Sequence, residues 1–184
     1  MEQCLDSEKH VMQQIENELD HMKWPSRRTR EKKGWSQNSN AFALGKVRRY
    51  DWTTCLVDSR FNVKYPELLK LLHTFMSLHN DEFTFNAIQL NKNIETKPHL
   101  DKNNIGDSYC IGLGNFEGGG INIWNGKDVS KSPTPFRNRR KWLRYDGAKN
   151  IHSSIPTTEG IRYAIIFFTT CPRSFYPIDR LHPL

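Results

Sequence analysis

Apolar residues recur at helical spacing in two stretches of the first half of the chain. The first stretch, residues 2–22, carries Leu5, Met12, Ile15, Leu19 and Met22. This spacing predicts an amphipathic helix. A second stripe follows Pro66, a residue that suits the first turn of a helix, and consists of Leu68, Leu69, Leu72, Phe75 and Met76. The polar sequence HNDE after this stripe predicts the end of the second helix.

After residue 82 the pattern changes to short runs rich in aromatic and β-branched residues, which favour strands. These runs are FTFNAIQL (83–90), SYCIGL (108–113), GGINIW (119–124), KWLRY (141–145) and RYAIIFFTT (162–170). Helices followed by strands indicate an α+β domain with a β-sandwich or barrel-like core and flanking N-terminal helices. At 184 residues the chain fits one domain, 1–184.

Two polar segments interrupt these patterns. Residues 24–40 are rich in turn formers and predict a mobile basic arm, which together with the first helix makes up the N-terminal region 1–40. Residues 125–140 form a long, basic insertion between predicted strands, and loops of such length are often functional.

The charge balance adds a class of partner. The net charge is +7 and the sequence pI about 9.3. Basic residues concentrate in KWPSRRTREKK (23–33) and RNRRKWLR (137–144). Such clusters favour a polyanion, here nucleic acid, although a merely solvated face gives the same pattern. In the second cluster, Arg137, Arg139 and Arg140 are the candidate phosphate contacts.

The remaining composition bears on the compartment. Mean hydropathy is −0.72, no segment approaches the roughly 20 apolar residues of a membrane span, and the N-terminus does not resemble a signal peptide. Cys4, Cys55, Cys110 and Cys171 stand far apart without a CxxC pair, which argues against a zinc ribbon or a disulfide framework. We therefore expect no membrane partner and an intracellular location, in the nucleus or cytoplasm of a microbe or a host cell.

One constellation points to chemistry. His99 and Asp101 stand two positions apart, and His152 follows after 50 intervening residues beside a predicted strand. Two histidines and one carboxylate are the usual ligands of a mononuclear non-haem Fe(II) centre. Arg162, ten residues after His152, opens the last strong strand. A buried guanidinium there would bind the far carboxylate of 2-oxoglutarate in a bidentate pair.

These motifs resemble those of a known superfamily. Residues 83–170, with GNFEGGGINIW after the HxD pair, look like the double-stranded β-helix (jelly-roll or cupin-like) core of Fe(II)/2-oxoglutarate-dependent dioxygenases. Within that superfamily, HLDKNNIGDS (99–108) and HSSIPTTEGIRYAIIFF (152–168) most resemble the TET/JBP branch, which oxidises the methyl group of 5-methylcytosine or thymine in DNA.

The resemblance implies a role for individual residues. It assigns Fe(II) ligation to His99, Asp101 and His152, with O2 and 2-oxoglutarate as co-substrates. It implies that Arg162 binds the co-substrate carboxylate and that Asn91 matches a polar position that often touches 2-oxoglutarate. Asn104 matches the residue that contacts the flipped base, although a turn former in KNNIG is the alternative interpretation.

The sequence also departs from its relatives. Phe168 stands where AlkB-type enzymes carry a second arginine, and the cysteine-rich zinc region of vertebrate TET enzymes is missing from this sequence. Two alternatives stay open. One is a protein or prolyl-type hydroxylase of the same superfamily, although those enzymes usually carry Lys where this chain has Arg162. The other is a catalytically dead nucleic-acid-binding module.

Overall fold

The computed structural model describes residues 2–25, 39–48 and 55–171, with side chains from residue 6 onward. Within these ranges the helices are α1 (Glu2–His21), α2 (Arg60–Lys64) and α3 (Pro66–His79). The strands are β1 (Asn40–Arg48), β2 (Leu56–Asp58), β3 (Ala87–Lys92), β4 (Asn104–Leu113), β5 (Phe116–Gly118), β6 (Ile121–Ile123), β7 (Thr134–Phe136), β8 (Leu143–Tyr145), β9 (His152–Ser154), β10 (Thr157–Gly160) and β11 (Tyr163–Thr170). None of these helices combines the length and the apolar character needed to cross a lipid bilayer.

The two helices predicted from the apolar stripes are confirmed as α1 and α3. Pro66 occupies the first turn of α3, and Asn80 ends the helix by donating its main-chain N–H to the Met76 carbonyl at 2.7 Å. Both helices bury their apolar stripes in one large core, to which they contribute Val11, Ile15, Leu19, Leu68, Leu72, Phe75 and Met76.

Antiparallel pairing organises the strands. Among the described residues, the largest sheet has the order β2-β1-β3-β11-β4-β8, and smaller sheets have the orders β7-β6-β9 and β10-β5. Some strands adjacent in the large sheet are distant in sequence: β11 lies between β3 and β4. The last described strand, β11, is therefore a central strand of the large sheet.

Successive residues of the large sheet face two different environments. In β11, Ile165 and Phe167 pack into the core beneath α1 and α3. The intervening Ala164 and Ile166 line a cavity on the opposite face. This alternation is the period of two that a strand imposes on its side chains.

The smaller sheet covers that second face. Ile121 of β6 packs with Cys110 of β4 and Tyr145 of β8 in a separate buried cluster. Helices on one face of the large sheet and a second sheet on the other give the α+β architecture that the sequence predicted. The cavity lies between the two sheets, which is where a sandwich of this kind can hold a ligand.

Several strand boundaries differ from the prediction. β1 and β2 precede residue 83, between the predicted arm and the second predicted helix, where the pattern predicted no strand. In β1 the large apolar residues at a spacing of two are just Phe42 and Leu44, and its strand structure depends on pairing with β2 and β3. β3 begins at Ala87 rather than residue 83, and β4 begins at Asn104 rather than residue 108.

The predicted mobile arm is wrong at its start. Trp24 is half-buried: its Nε1 donates to the Leu19 carbonyl at 3.0 Å and its ring stacks on Tyr163 with centroids 5.7 Å apart. Asn40 Nδ2 donates to the buried Pro25 carbonyl at 2.7 Å. The basic residues 26–38 lie outside the described residues. The insertion 125–140 contains strand β7, which extends the smaller sheet.

Candidate metal and carboxylate site

Backbone pairing between two remote segments brings the predicted metal ligands together. His99, in the loop after β3, and His152, at the start of β9, exchange main-chain hydrogen bonds of 3.0 Å in each direction. Residues opposed in an antiparallel bridge project their side chains to the same face, and Asp101, two positions on, lies on that face too. The ligand atoms of His99, Asp101 and His152 all lie within 4.8 Å of one another.

Both imidazoles present the same nitrogen to the centre of this cluster. Nδ1 of His99 lies 2.8 Å from the Lys97 carbonyl, and Nδ1 of His152 lies 3.1 Å from the Asn150 carbonyl. A carbonyl only accepts, so each Nδ1 carries the proton and each Nε2 keeps its lone pair. The Nε2 atoms lie 3.7 and 3.4 Å from the carboxylate oxygens of Asp101.

Hydrogen bonds hold Asp101 in place, and Gly147 leaves space for its carboxylate. Its main-chain N–H donates to the Gly147 carbonyl at 2.8 Å, and Asn104 Nδ2 lies 3.4 Å from Oδ2. A Cβ at Gly147 would lie 3.0 Å from Oδ2 and 3.2 Å from Cε1 of His152. Such contacts are too close to accept without movement, so glycine at position 147 keeps the ligand side chains unobstructed.

The electrostatics of the cluster favour a cation. Burial lowers the pKa of His152, but the hydrogen bond and negative charge of Asp101, together with the hydrogen bond to the Asn150 carbonyl, more than offset this, so the pKa is raised overall. A carboxylate between two imidazoles thus attracts positive charge, either a proton or a metal ion. Since a metal ligand must be deprotonated, metal binding at this cluster displaces protons and strengthens as the pH rises.

Arg162 supplies a buried positive charge next to the cluster. The residue is only 4% exposed, and its Nε has no hydrogen-bond partner among the described residues. Its Nη2 lies 3.5 Å from Oδ1 of Asn138, and its Cζ lies 5.9 Å from the centre of the Phe116 ring. Burial lowers the pKa of Arg162, yet a guanidinium stays charged in proteins. Among the described residues no carboxylate forms a salt bridge with Arg162, and a buried charge without a counter-ion is costly, so the arrangement favours a bound anion.

The glycine run between β5 and β6 makes space for this side chain. Gly119 has a φ of +63°, and a Cβ there would lie 2.7 Å from the Phe116 ring and 3.0 Å from Cδ of Arg162. Any larger residue would therefore displace the guanidinium or the ring beneath it. Gly119, the middle residue of the GGG sequence, therefore leaves room for the side chain of Arg162.

A cavity of about 380 Å³ joins the metal-ligand cluster to Arg162. Asn91, predicted to touch 2-oxoglutarate, lines it, and so does Asn104. The amide of Asn91 is oriented by Gln89, whose Nε2 donates to Asn91 Oδ1 at 3.0 Å. This leaves the N–H donors of Asn91 for a bound molecule.

The pattern analysis missed several further residues of the cavity wall, among them Gln89, Tyr145 and Phe168. Period-two alternation from Arg162 along β11 would have placed Phe168 on the inner face, with Ala164 and Ile166. Tyr145 required the register of β8 against β4. Its ring packs edge-on against the imidazole of His152, with centroids 5.1 Å apart.

The structure does not bring the arginines of the second basic cluster to the cavity wall. Arg137 Nη1 donates to the Gly119 carbonyl at 2.8 Å. Arg139 pairs with Glu117 at 3.4 Å and Arg140 with the buried Glu16 at 2.7 Å. These three side chains make contacts within the protein, so their role as phosphate contacts stays a prediction.

Comparison with known proteins supports the fold. No protein-family model and no curated protein matches the chain. The structure of OsALKBH1 matches 86% of this chain and 91% of its own at 10% identity, with a TM-score of 0.50. A dioxygenase for auxin oxidation from rice matches 91% of this chain and 70% of its own at 10% identity, also with a TM-score of 0.50.

A further solved structure lies below these two in TM-score. An oxidoreductase of the 2OG-Fe(II) oxygenase family from Burkholderia pseudomallei covers 73% of this chain and 69% of its own at 18% identity, with a TM-score of 0.48. At such identities structural likeness shows the fold alone. The two structures with a TM-score of 0.50 support the double-stranded β-helix core that the sequence predicted, and the chemistry must be argued from the site.

Proposed function

We propose that the chain is an Fe(II)- and 2-oxoglutarate-dependent dioxygenase. The observation that carries this proposal is one shared cavity, into which both the His99–Asp101–His152 cluster and the guanidinium of Arg162 open. Two imidazole nitrogens and one carboxylate oxygen are the donor set of non-haem Fe(II) sites with open positions. The orphaned Nε of Arg162 fits a carboxylate. The residues present therefore suit both a ferrous ion and a dicarboxylate.

Each residue then has a defined task. His99, Asp101 and His152 hold the ion, with the Nδ1 hydrogen bonds to backbone carbonyls fixing both rings. Arg162 binds the carboxylate remote from the ion. When bound, Fe(II) and 2-oxoglutarate supply, with dioxygen, the oxidant that hydroxylates a C–H bond.

The walls of the cavity support this chemistry by limiting water. Ala41, Ala164 and Ile166 line it with apolar groups between the polar residues named above. An apolar wall strengthens the interaction of Arg162 with a carboxylate, because the local dielectric is low. It also protects a reactive centre from side reactions with solvent.

For the substrate, we propose the methyl group of a nucleobase in DNA, on 5-methylcytosine or thymine. Asn104 lines the cavity and donates to Asp101 Oδ2, so its own Oδ1 can accept from a base edge. Phe168 offers an aromatic ring in the same wall, on which a planar base could stack. A base in a duplex would have to leave the stack to reach this depth.

Two lysines near His99 and Asp101 also support a nucleic-acid substrate. Lys97 and Lys102 flank His99 and Asp101 in sequence, and both are exposed. Unlike Arg139, Arg140 and Arg144, they form no salt bridge among the residues that the structure describes. We therefore include Lys97 and Lys102 among the proposed phosphate contacts. The net charge of +7 also favours binding to a polyanion.

The test is a side-by-side turnover assay. The protein, with Fe(II) and 2-oxoglutarate, is incubated with methylated DNA, thymine-containing DNA, RNA and proline-containing peptides. Succinate release and the oxidised products are then measured by mass spectrometry, with the D101A variant as the inactive control. Hydroxymethylated nucleosides are the expected product. Turnover of peptides alone would replace the nucleobase with a prolyl-type substrate, and turnover equal to that of D101A on every substrate would leave a non-catalytic module.

A further inference from the structure

A buried amide stands directly behind the guanidinium of Arg162. Asn138 belongs to the insertion 125–140 and is only 2% exposed. Its Oδ1 is the acceptor 3.5 Å from Nη2 of Arg162, and its Nδ2 donates to Sγ of Cys110 at 3.4 Å. The same side chain thus touches two residues of the cavity wall from outside the cavity.

The position of this amide is fixed by its own backbone. The Asn138 carbonyl accepts from the N–H groups of Gly112 and Lys141, at 3.0 and 3.2 Å. A Cβ at Gly112 would lie 3.3 Å from both Oδ1 and the main-chain oxygen of Asn138. The amide is therefore packed closely against β4. Its orientation follows from Arg162, because a guanidinium only donates: Oδ1 faces Arg162, and Nδ2 is left to donate to the Cys110 thiol.

We propose that Asn138 is a positioning residue for the co-substrate: it orients the Arg162 guanidinium with a neutral acceptor and leaves the positive charge free for a carboxylate. This inference rests on the proposed function, which gives Arg162 its ligand. The neutral character is the essential feature. A carboxylate at position 138 would form an internal ion pair with Arg162 and compete with the dicarboxylate for it.

The decisive variant is Asn138→Asp, which keeps the size of the side chain and adds a negative charge. Binding of labelled 2-oxoglutarate to the Mn(II)-loaded protein is measured by equilibrium dialysis without turnover. The affinity of N138D is expected to fall by at least about tenfold, since one charge-assisted contact is lost. Its affinity for Mn(II) alone is expected to match that of wild type. A dicarboxylate affinity equal to that of wild type would overturn the proposal.

Asn115→Asp is the matched control. Asn115 is an exposed amide whose Oδ1 accepts from Nη2 of Arg139 at 3.2 Å, so the change again places a carboxylate beside an arginine. Asn115 does not line the cavity. N115D is expected to bind 2-oxoglutarate as wild type does. An equal loss of affinity in N115D and N138D would show a general charge effect and would also contradict the proposal.

Two further readouts cover misfolding of N138D. Added succinate should raise the melting temperature of wild type but not that of N138D. A rise of equal size in both would refute the competition between the introduced carboxylate and the dicarboxylate for Arg162.

Cys110→Ala removes the acceptor that orients the amide, so dicarboxylate affinity should fall several-fold, and Cys110→Ser should restore it. Unchanged binding in C110A would refute the orienting contact. Wild-type protein that binds metal but no dicarboxylate would instead refute the proposed function.

Discussion

The imidazoles of His99 and His152 face the same carboxylate but differ in burial. The His99 side chain is 39% exposed, whereas that of His152 is 7% exposed. His152 also packs against the Tyr145 ring. His152 is therefore part of the packed core as well as a proposed ligand, whereas His99 lies at the edge of the core.

This difference predicts distinct effects of two alanine substitutions. His99→Ala should weaken Mn(II) binding by more than about 100-fold, because a direct ligand is lost, and should change the free energy of unfolding by less than about 0.5 kcal/mol. His152→Ala should weaken Mn(II) binding equally and also cost about 1–3 kcal/mol, through lost packing. Metal titration and urea unfolding of the metal-free proteins measure both. Equal stability of the two variants would contradict the placement of His152, but not His99, in the packed core.

Arg162→Lys tests the anion site at the same scale. Lysine keeps the charge but cannot form the bidentate pair of a guanidinium with a carboxylate. We expect 2-oxoglutarate affinity to fall about 10- to 100-fold, the loss of one charge-assisted hydrogen bond or slightly more. Metal affinity should be unaffected, because Arg162 is not among the clustered ligands. A loss of Mn(II) binding in R162K would show that the two sites are not separate.

Among the elements, α1 is attached to the large sheet by acidic side chains. Glu8 accepts from Trp142 Nε1 at 2.6 Å, and Asp20 accepts from the Tyr163 hydroxyl at 2.7 Å. Glu16, which is buried, accepts from the Gly114 N–H at 2.9 Å and from Arg140 at 2.7 Å. The helix therefore docks through polar contacts as well as through its apolar stripe.

Removing Glu16 should destabilise the fold measurably. Glu16→Ala leaves the N–H of Gly114 without its acceptor, and a buried unsatisfied group costs about 1–3 kcal/mol. Glu117→Ala is the matched control, because Glu117 pairs with Arg139 where both side chains are exposed, and exposed pairs contribute only about 0–1 kcal/mol. Urea unfolding measures both variants. A Glu16→Ala loss no larger than that of the control would mean that Glu16 does not contribute to the docking of α1.

The elements also show which parts of the fold the sequence could predict. α1, α3, β4 and β11 are long enough for their periodicity to show, and each was predicted. β5, β7, β9 and β10 have only three or four residues, too few for an alternation to register. Their strand structure depends on partners far along the chain, as in the pairing of β6 with β9. Length alone does not decide this: the nine-residue β1 was missed, whereas the three-residue β6 and β8 were predicted because each lies in a longer aromatic and β-branched run.

The site was predictable to a similar degree. His99, Asp101, His152 and Arg162 were found because their chemistry is unusual at that spacing. Tyr145, Gln89 and Asn138 have no such signal, and only the register of β8, the inner face of β3 and the path of the insertion place them around the cavity.

For the whole molecule, burial of acidic hydroxyl and thiol groups sets the response to alkali. Burial raises the pKa of Cys110 from 9.0 to about 11, with Arg162 and Asn138 partly offsetting it. Burial also raises the pKa of Tyr145 and of Tyr163, the latter with a further contribution from Asp20. In each case the unfolded chain loses its proton first.

The sign of the effect follows from this order of ionisation. The stability that the burial of Cys110 contributes is fully present below pH 9, where the unfolded thiol ionises, and is lost as the pH rises toward 11. The contribution of Tyr145 and Tyr163 is lost only at higher pH, starting near pH 10, where an unfolded tyrosine ionises. We expect the urea midpoint to fall steadily between pH 9 and pH 11, and less steeply in C110A. A midpoint that stays constant over that range would contradict the burial of these groups.

The most direct single measurement is an anaerobic titration of the protein with Fe(II) in the presence and absence of 2-oxoglutarate, followed by the visible charge-transfer absorption of the chelate. Because His99, Asp101, His152 and Arg162 share one cavity, the protein should bind one equivalent of each, and the absorption should appear only when both are present. The D101A variant should show no such absorption. Binding of Fe(II) and 2-oxoglutarate at independent positions, or an unchanged absorption in D101A, would contradict a shared ferrous and dicarboxylate site.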